Sequence, residues 1–136
     1  VLVLPILDNE TILLIREYAV GLERYYLGFP KGAIDPDETS HEAANRELKE
    51  EIGYGAGKLT RVTTLASSPA YSNHLMHFYL GEDLYPEKLV GDEPEALEVV
   101  PWKIAEIDSL ISHPDFVEAR SLSLLLLWLR GRSFDA

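Results

Sequence analysis

No cysteine occurs among the 136 residues. Disulfides and thiolate metal sites are therefore excluded, and the composition suits a reducing cytoplasm. Positive charge is scarce: 12 Lys and Arg face 23 Asp and Glu, for a formal net charge of -11. A surface of that sign opposes unaided binding of nucleic acid or an anionic membrane, so neither is expected as a partner. A phosphate-bearing small molecule stays admissible if a divalent cation stands between it and the protein. Long hydrophobic runs are absent too. The most apolar stretch, LSLLLLWL at 122–129, is far short of the ~20 residues a membrane span needs and reads as a buried C-terminal helix. Repeats, low-complexity tracts and linkers are likewise absent, so residues 1–136 are expected to form one domain. The chain opens on VLVLPIL, a core-like strand with no initiator methionine, and further residues are expected upstream.

What is present alternates between strand and helix patterns. VLVLPIL and TILLIREY are β-rich and separated by DNE, a hairpin connection; Pro5 predicts an edge strand or a bulge. RYYLGF (24–29) is a third strand, ended by PKG. A helix is predicted from about 40 to 52, with Thr39 and Glu42 as a capping box and Gly53 as its C′ residue. Residues 59–67 and 74–81 read as strands, and an acidic loop over 87–98 leads to a short strand near VVPW. Helices are predicted over 103–113 and about 115–130, with Pro114 between them. This order favours an α+β fold over a doubly wound parallel sheet.

The predicted helix at 40–52 carries the chemistry. Glu47 and Glu51 are i,i+4 and Glu47 and Glu50 are i,i+3, so all three project from one side, while Ala44, Leu48 and Ile52 form an apolar stripe. Like charges ~4 Å apart repel by about 4 kcal/mol at an effective dielectric near 20. A partly buried helix therefore calls for a counter-ion, and hard carboxylate oxygens select Mg²⁺, Mn²⁺ or Ca²⁺. Arg46 reaches Glu50 at i,i+4. By charge spacing alone, a solvated acidic face with ordinary i,i+4 pairs is the favoured reading.

Residues 32–54 read G-x5-E-x7-R-E-L-x-E-E-x-G-Y, with Gly32, Glu38, Arg46, Glu47, Leu48, Glu50, Glu51 and Gly53 in place. This resembles the Nudix box of hydrolases that cleave nucleoside diphosphates linked to another group. Tyr54 departs from the family's usual aliphatic residue, but is large and apolar enough to be buried in its place. Gly32 is read as permitting a sharp turn. The resemblance implies a Nudix-type α/β/α sandwich with a mixed β-sheet. It also implies Mg²⁺, with Mn²⁺ as substitute, held by Glu47, Glu51, Glu50 and the Lys31 carbonyl, and Glu38 as a partner of Arg46. LIREYAVG, GFPKGAIDP, DLYPE, GDEPE and PDFVEARS extend it to the branch that hydrolyses ADP-ribose, NADH and diadenosine polyphosphates to AMP. From that branch come Glu93 as base, Glu95 as a further ligand, Glu50 and Arg46 as catalytic residues, and a homodimer built partly through N-terminal strands.

Arg16, just past a strand, is a candidate phosphate or ribose contact, although the branch's arginine falls nearer Ala19. His74 and His77 are expected on opposite sides of a strand. Tyr25, Tyr26 and Tyr71 are read as core or interface residues before base-stacking ones. Two other readings fit the same residues: a Nudix enzyme for nucleoside triphosphates or other polyphosphates, and a sensing module that binds ADP-ribose or a dinucleotide without cleaving it.

Overall fold

The computed structural model describes residues 1–131. Its elements are β1 (Leu2–Asp8), β2 (Thr11–Ala19), β3 (Arg24–Gly28), α1 (Ser40–Glu51), β4 (Tyr54–Ala66), β5 (Leu75–Pro86), β6 (Glu98–Lys103), α2 (Ile107–Ile111) and α3 (Ala119–Gly131). The sheet runs β3-β2-β1-β5-β4, with β6 beside β2. β1 and β5 are parallel, from Leu2 opposite Phe78 to Pro5 opposite Gly81, and the other pairings are antiparallel.

β1 reads as an unbroken apolar run because both of its faces are covered. Leu2 and Leu4 join a cluster with Leu124, Leu125 and Trp128 of α3. Val1 and Val3 join a second cluster with Ala44, Leu48 and Ile52, the apolar stripe of the first helix. Helices thus cover both faces, and the expected α/β/α sandwich is the fold.

The expectation of an edge or a bulge at Pro5 is met by the bulge, and four other local expectations need correction. Pro5 does not mark an edge, since β1 lies between β2 and β5. The bulge that Pro5 also allowed is present, as the β1–β2 register shifts between Ile6 and Asp8. β4 starts at Tyr54, not at Leu59, and its glycines lie where strands come close: a Cβ on Gly55 would sit 2.4 Å from the Tyr85 ring. β5 runs past residue 81 to Pro86. The helix expected over 103–113 shrinks to Ile107–Ile111 behind a 3-10 turn, and the last helix begins at 119. Residues 113–118 are instead drawn along β3, where the Leu27 amide donates to the Asp115 carbonyl at 2.9 Å.

Two details bring the loop after β3 to the helix. α1 is fixed by Thr39, whose side chain accepts from the Glu42 amide while the Glu42 carboxylate accepts from the Thr39 amide. Beyond β3 the chain continues alongside β1: the Val3 amide donates to the Pro30 carbonyl, and Lys31 bridges to Leu2. This places residues 30–32 against the acidic side of α1.

Candidate active site

Arg46 organises the helix–loop junction. Its Nε donates to Glu38 Oε2 at 2.8 Å and its Nη2 to Glu38 Oε1 at 2.9 Å, a bidentate pair. Nη2 also donates to the Ala33 carbonyl, and Nη1 reaches Glu47 at 2.8 Å and Glu50 at 3.2 Å. One guanidinium thus pins the 33–38 loop to two helix carboxylates. Its hydrogen bonds hold the Glu38 carboxyl down at about 2, well below the usual carboxylate range.

Glu47 and Glu51 do not stand on a solvated face. They are 7 % and 3 % exposed, with Gly32 against Glu47, and the Lys31 amide and Glu93 beside Glu51. Burial pushes Glu47 up to about 7, against the hydrogen bond from Arg46. It pushes Glu51 up to about 9, although the Lys31 amide donates to Glu51 Oε1 at 3.0 Å. Gly32 lies over Glu47 so closely that a Cβ there would sit 2.0 Å from Oε1. Close approach, not a left-handed turn, is what requires glycine at 32; among the described glycines only Gly53, the C′ residue, has a positive φ, 76°.

The outer candidates divide. Glu93 comes to the helix: one oxygen each of Glu17, Glu51 and Glu93 lies within 4.8 Å of the others. Glu95 turns toward β3, where its Oε1 accepts from the Tyr25 hydroxyl at 3.1 Å. Arg16 is engaged by Asp115 at 3.0 Å and by Glu98 at 3.8 Å. His77 bonds Thr64 and Arg61 through Nδ1, away from this cluster.

Glu17 escaped the sequence reading. Register brings it in: β2–β3 pairing sets Glu17 opposite Tyr26, whose hydroxyl donates to Glu17 Oε1 at 2.7 Å. Lys31 Nζ donates to the same oxygen at 3.3 Å and to the Tyr26 hydroxyl at 2.7 Å. Burial works against the Lys31 charge, but Tyr26 and Glu17 outweigh it and hold its pKa above the ordinary value. A pair of charged residues, Arg16 and Glu17, after an apolar strand run was the only signal available.

The donors suit a divalent cation. They are all oxygens, drawn together from β2, α1 and the loop after β5, and their most buried member ionises only at a cost that a cation would remove.

The NUDIX domain model matches residues 1–123 of this chain. The chain belongs to the Nudix family. It is 53% identical over 135 residues to ADP compounds hydrolase NudE of Escherichia coli strain K12, covering 97% of this chain and 72% of that protein. It is 32% identical to an ADP-ribose pyrophosphatase of Bacillus subtilis strain 168, covering 89% of this chain and 66% of the relative. A crystal structure of an ADP compounds hydrolase superposes with a TM-score of 0.90 at 51% identity, over 97% of this chain and 72% of that one. Within this Nudix hydrolase, the box residues Gly32 to Gly53 coincide with the junction that Arg46 holds together. No described helix is long and apolar enough to cross a membrane.

Proposed function

We propose that this Nudix domain hydrolyses the diphosphate linkage of ADP-containing compounds such as ADP-ribose, NADH and diadenosine polyphosphates, releasing AMP. The observation that carries this reading is the burial of Glu51 beside Glu17 and Glu93, in a chain 53% identical to an ADP compounds hydrolase. Glu47, Glu50, Glu51 and the Lys31 carbonyl are the proposed holders of Mg²⁺, with Mn²⁺ able to replace it; Glu95 would join them by leaving the Tyr25 hydroxyl. Bound there, the cation supplies charge neutralisation at the diphosphate and a lowered pKa for water.

The chain's own groups do the rest. Glu93 accepts the proton of the attacking water, a role within its reach because the 87–97 loop lays it beside Glu51. Arg46 keeps Glu47 and Glu50 in fixed orientations through Nη1. For Arg16 to contact substrate it would exchange its pairing with Asp115 for a phosphate oxygen. A homodimer in the cytoplasm, with no nucleic-acid or membrane partner, completes the proposal.

The test is turnover of ADP-ribose, NADH, a diadenosine polyphosphate and a nucleoside triphosphate with Mg²⁺ in ¹⁸O-labelled water. AMP release from the first three, with label in one product, is expected; preferential cleavage of the triphosphate would overturn the substrate assignment. Glu93→Gln should lower kcat by about 10²–10⁴, the usual contribution of a positioned base. Wild-type kcat in that variant would remove Glu93 from the mechanism.

A further inference from the structure

We infer that the Lys31 ammonium donates a hydrogen bond to a non-bridging oxygen of the substrate's diphosphate. The inference rests on the hydrolase reading above and gives the Lys31 side chain a role separate from that of its carbonyl.

An acidic centre that receives an anion needs hydrogen-bond donors as well as a metal cation. The side chains of Glu17, Glu47, Glu50, Glu51 and Glu93 are touched by two cationic residues among those described, Arg46 and Lys31. A guanidinium has five N–H donors. Those of Arg46 are all spent: Nε on Glu38, Nη1 on Glu47 and Glu50, Nη2 on Glu38 and the Ala33 carbonyl. Arg46 orients carboxylates and has no donor left for a phosphate.

Lys31 differs. An ammonium has three donors. Nζ places one on the Tyr26 hydroxyl at 2.7 Å and one on Glu17 Oε1 at 3.3 Å. The third is unused. The contact with the counter-ion Glu17 is the longer of the two, so the pair is not a closed one. Its partners come from β2 and β3, which hold the ammonium in one place at the end of a flexible stem.

That place adjoins the carboxylates proposed to carry the diphosphate through a cation. The amide of the same residue donates to Glu51 Oε1 at 3.0 Å. The ammonium and the Glu51 carboxylate are close enough that each favours the other's charged form. One oxygen each of Glu17, Glu51 and Glu93 lies within 4.8 Å of the others, which puts the Glu17 partner of Nζ inside the cluster. The Lys31 side chain is only 16 % exposed, so water competes little for its third donor and salt screens its charge weakly.

The test is calorimetric titration of α,β-methylene ADP, a diphosphate whose bridge cannot be hydrolysed, at saturating Mn²⁺. Lys31→Met is made alone and together with Glu17→Gln, because the double variant leaves no half-buried carboxylate without its cation. In both, the Kd of the analogue should rise about ten- to a hundredfold, the scale of one charge-assisted hydrogen bond. The Kd of Mn²⁺ should stay at the wild-type value, since the Lys31 amide and carbonyl remain. Lys31→Arg, which keeps a cation there, should lose less. Wild-type affinity for the analogue in both Lys31→Met proteins would overturn the inference. So would an analogue affinity that falls only in step with Mn²⁺ affinity, which would make the side chain a prop of the cation site. The two readings fail separately. A wild type that binds the analogue but releases no AMP from ADP-ribose refutes the hydrolase assignment, whereas an active wild type matched by both variants in analogue Kd refutes only the Lys31 contact.

Discussion

Gly32 shows how a single position can be recognised from sequence for one reason and required by the structure for another. The box spacing marks it, and a turn is the ordinary explanation. The structure instead uses the missing side chain as space for Glu47, whose Oε1 would lie 2.0 Å from an added Cβ. Gly32→Ala should therefore cost about 1–3 kcal/mol of stability, the usual overpacking penalty, and depress kcat further by displacing Glu47. Thermal unfolding beside steady-state kinetics reads both effects; a variant with unchanged Tm and kcat would contradict the crowding. Glu17 is the opposite case. No acidic residue near it in sequence belongs to the site, and its place depends on cross-strand register and on the return of a loop more than seventy residues later.

At the scale of elements, α1 was legible because its signals are local. Thr39, Glu42 and Gly53 set its ends within a few residues, and its apolar stripe is read on a 3.6-residue period. β4 was less so. Gly55 and Gly57 look like breakers until Tyr85 and Asp83 of the neighbouring strand are seen pressing against them. α2 and α3 were misjudged where tertiary contact overrode helix propensity: β3 captures Asp115, and the apolar periodicity cannot reveal that. The junction of α1 with its preceding loop depends on a guanidinium fork that lysine cannot copy. Arg46→Lys should destabilise the protein by about 2 kcal/mol at neutral pH, the scale of a charge-assisted hydrogen bond lost to a half-buried partner. Glu38 has a depressed pKa, so its share is present above about 4.5 and is lost as pH falls toward about 2. The difference between wild type and Arg46→Lys should accordingly narrow in acid. Denaturant melts at pH 7 and pH 2.5 test this, and a constant difference would rule out Glu38 as the partner that matters.

The whole molecule has the reverse dependence at its acidic centre. Glu51 ionises near 4.5 when unfolded and near 9 when folded, and Glu47 moves from 4.5 to about 7. Both folded values are raised, so the unfolded chain loses its protons first. Without a cation, stability contributed by the protonated forms is full below about 4.5 and is lost as pH rises through these folded values. Scanning calorimetry of the cation-free protein should show Tm declining between pH 5 and pH 9, with Glu51→Gln flattening much of the slope. Millimolar Mg²⁺ should raise Tm at pH 8 and do little at pH 4, because a cation competes with protons for the same oxygens. A Tm insensitive to Mg²⁺ at pH 8 would argue against cation binding by these carboxylates.

The parallel pairing of β1 with β5 has a consequence for the order in which the molecule comes together. Leu2 must find Phe78 across most of the chain, and such non-local pairings form late because the intervening loop has to close first. Residues 30–32 are hung on β1 through Val3 and Leu2. A late strand pairing is thus also the one that steadies Lys31 and Gly32 above Glu47 and Glu51, although β2 must close a still longer loop to reach β6. During folding the helix carboxylates remain hydrated, each free to ionise, until β1 docks. Cation capture then becomes a report of completed folding, measurable as a Mn²⁺-binding phase that lags behind helix formation in a stopped-flow refolding trace.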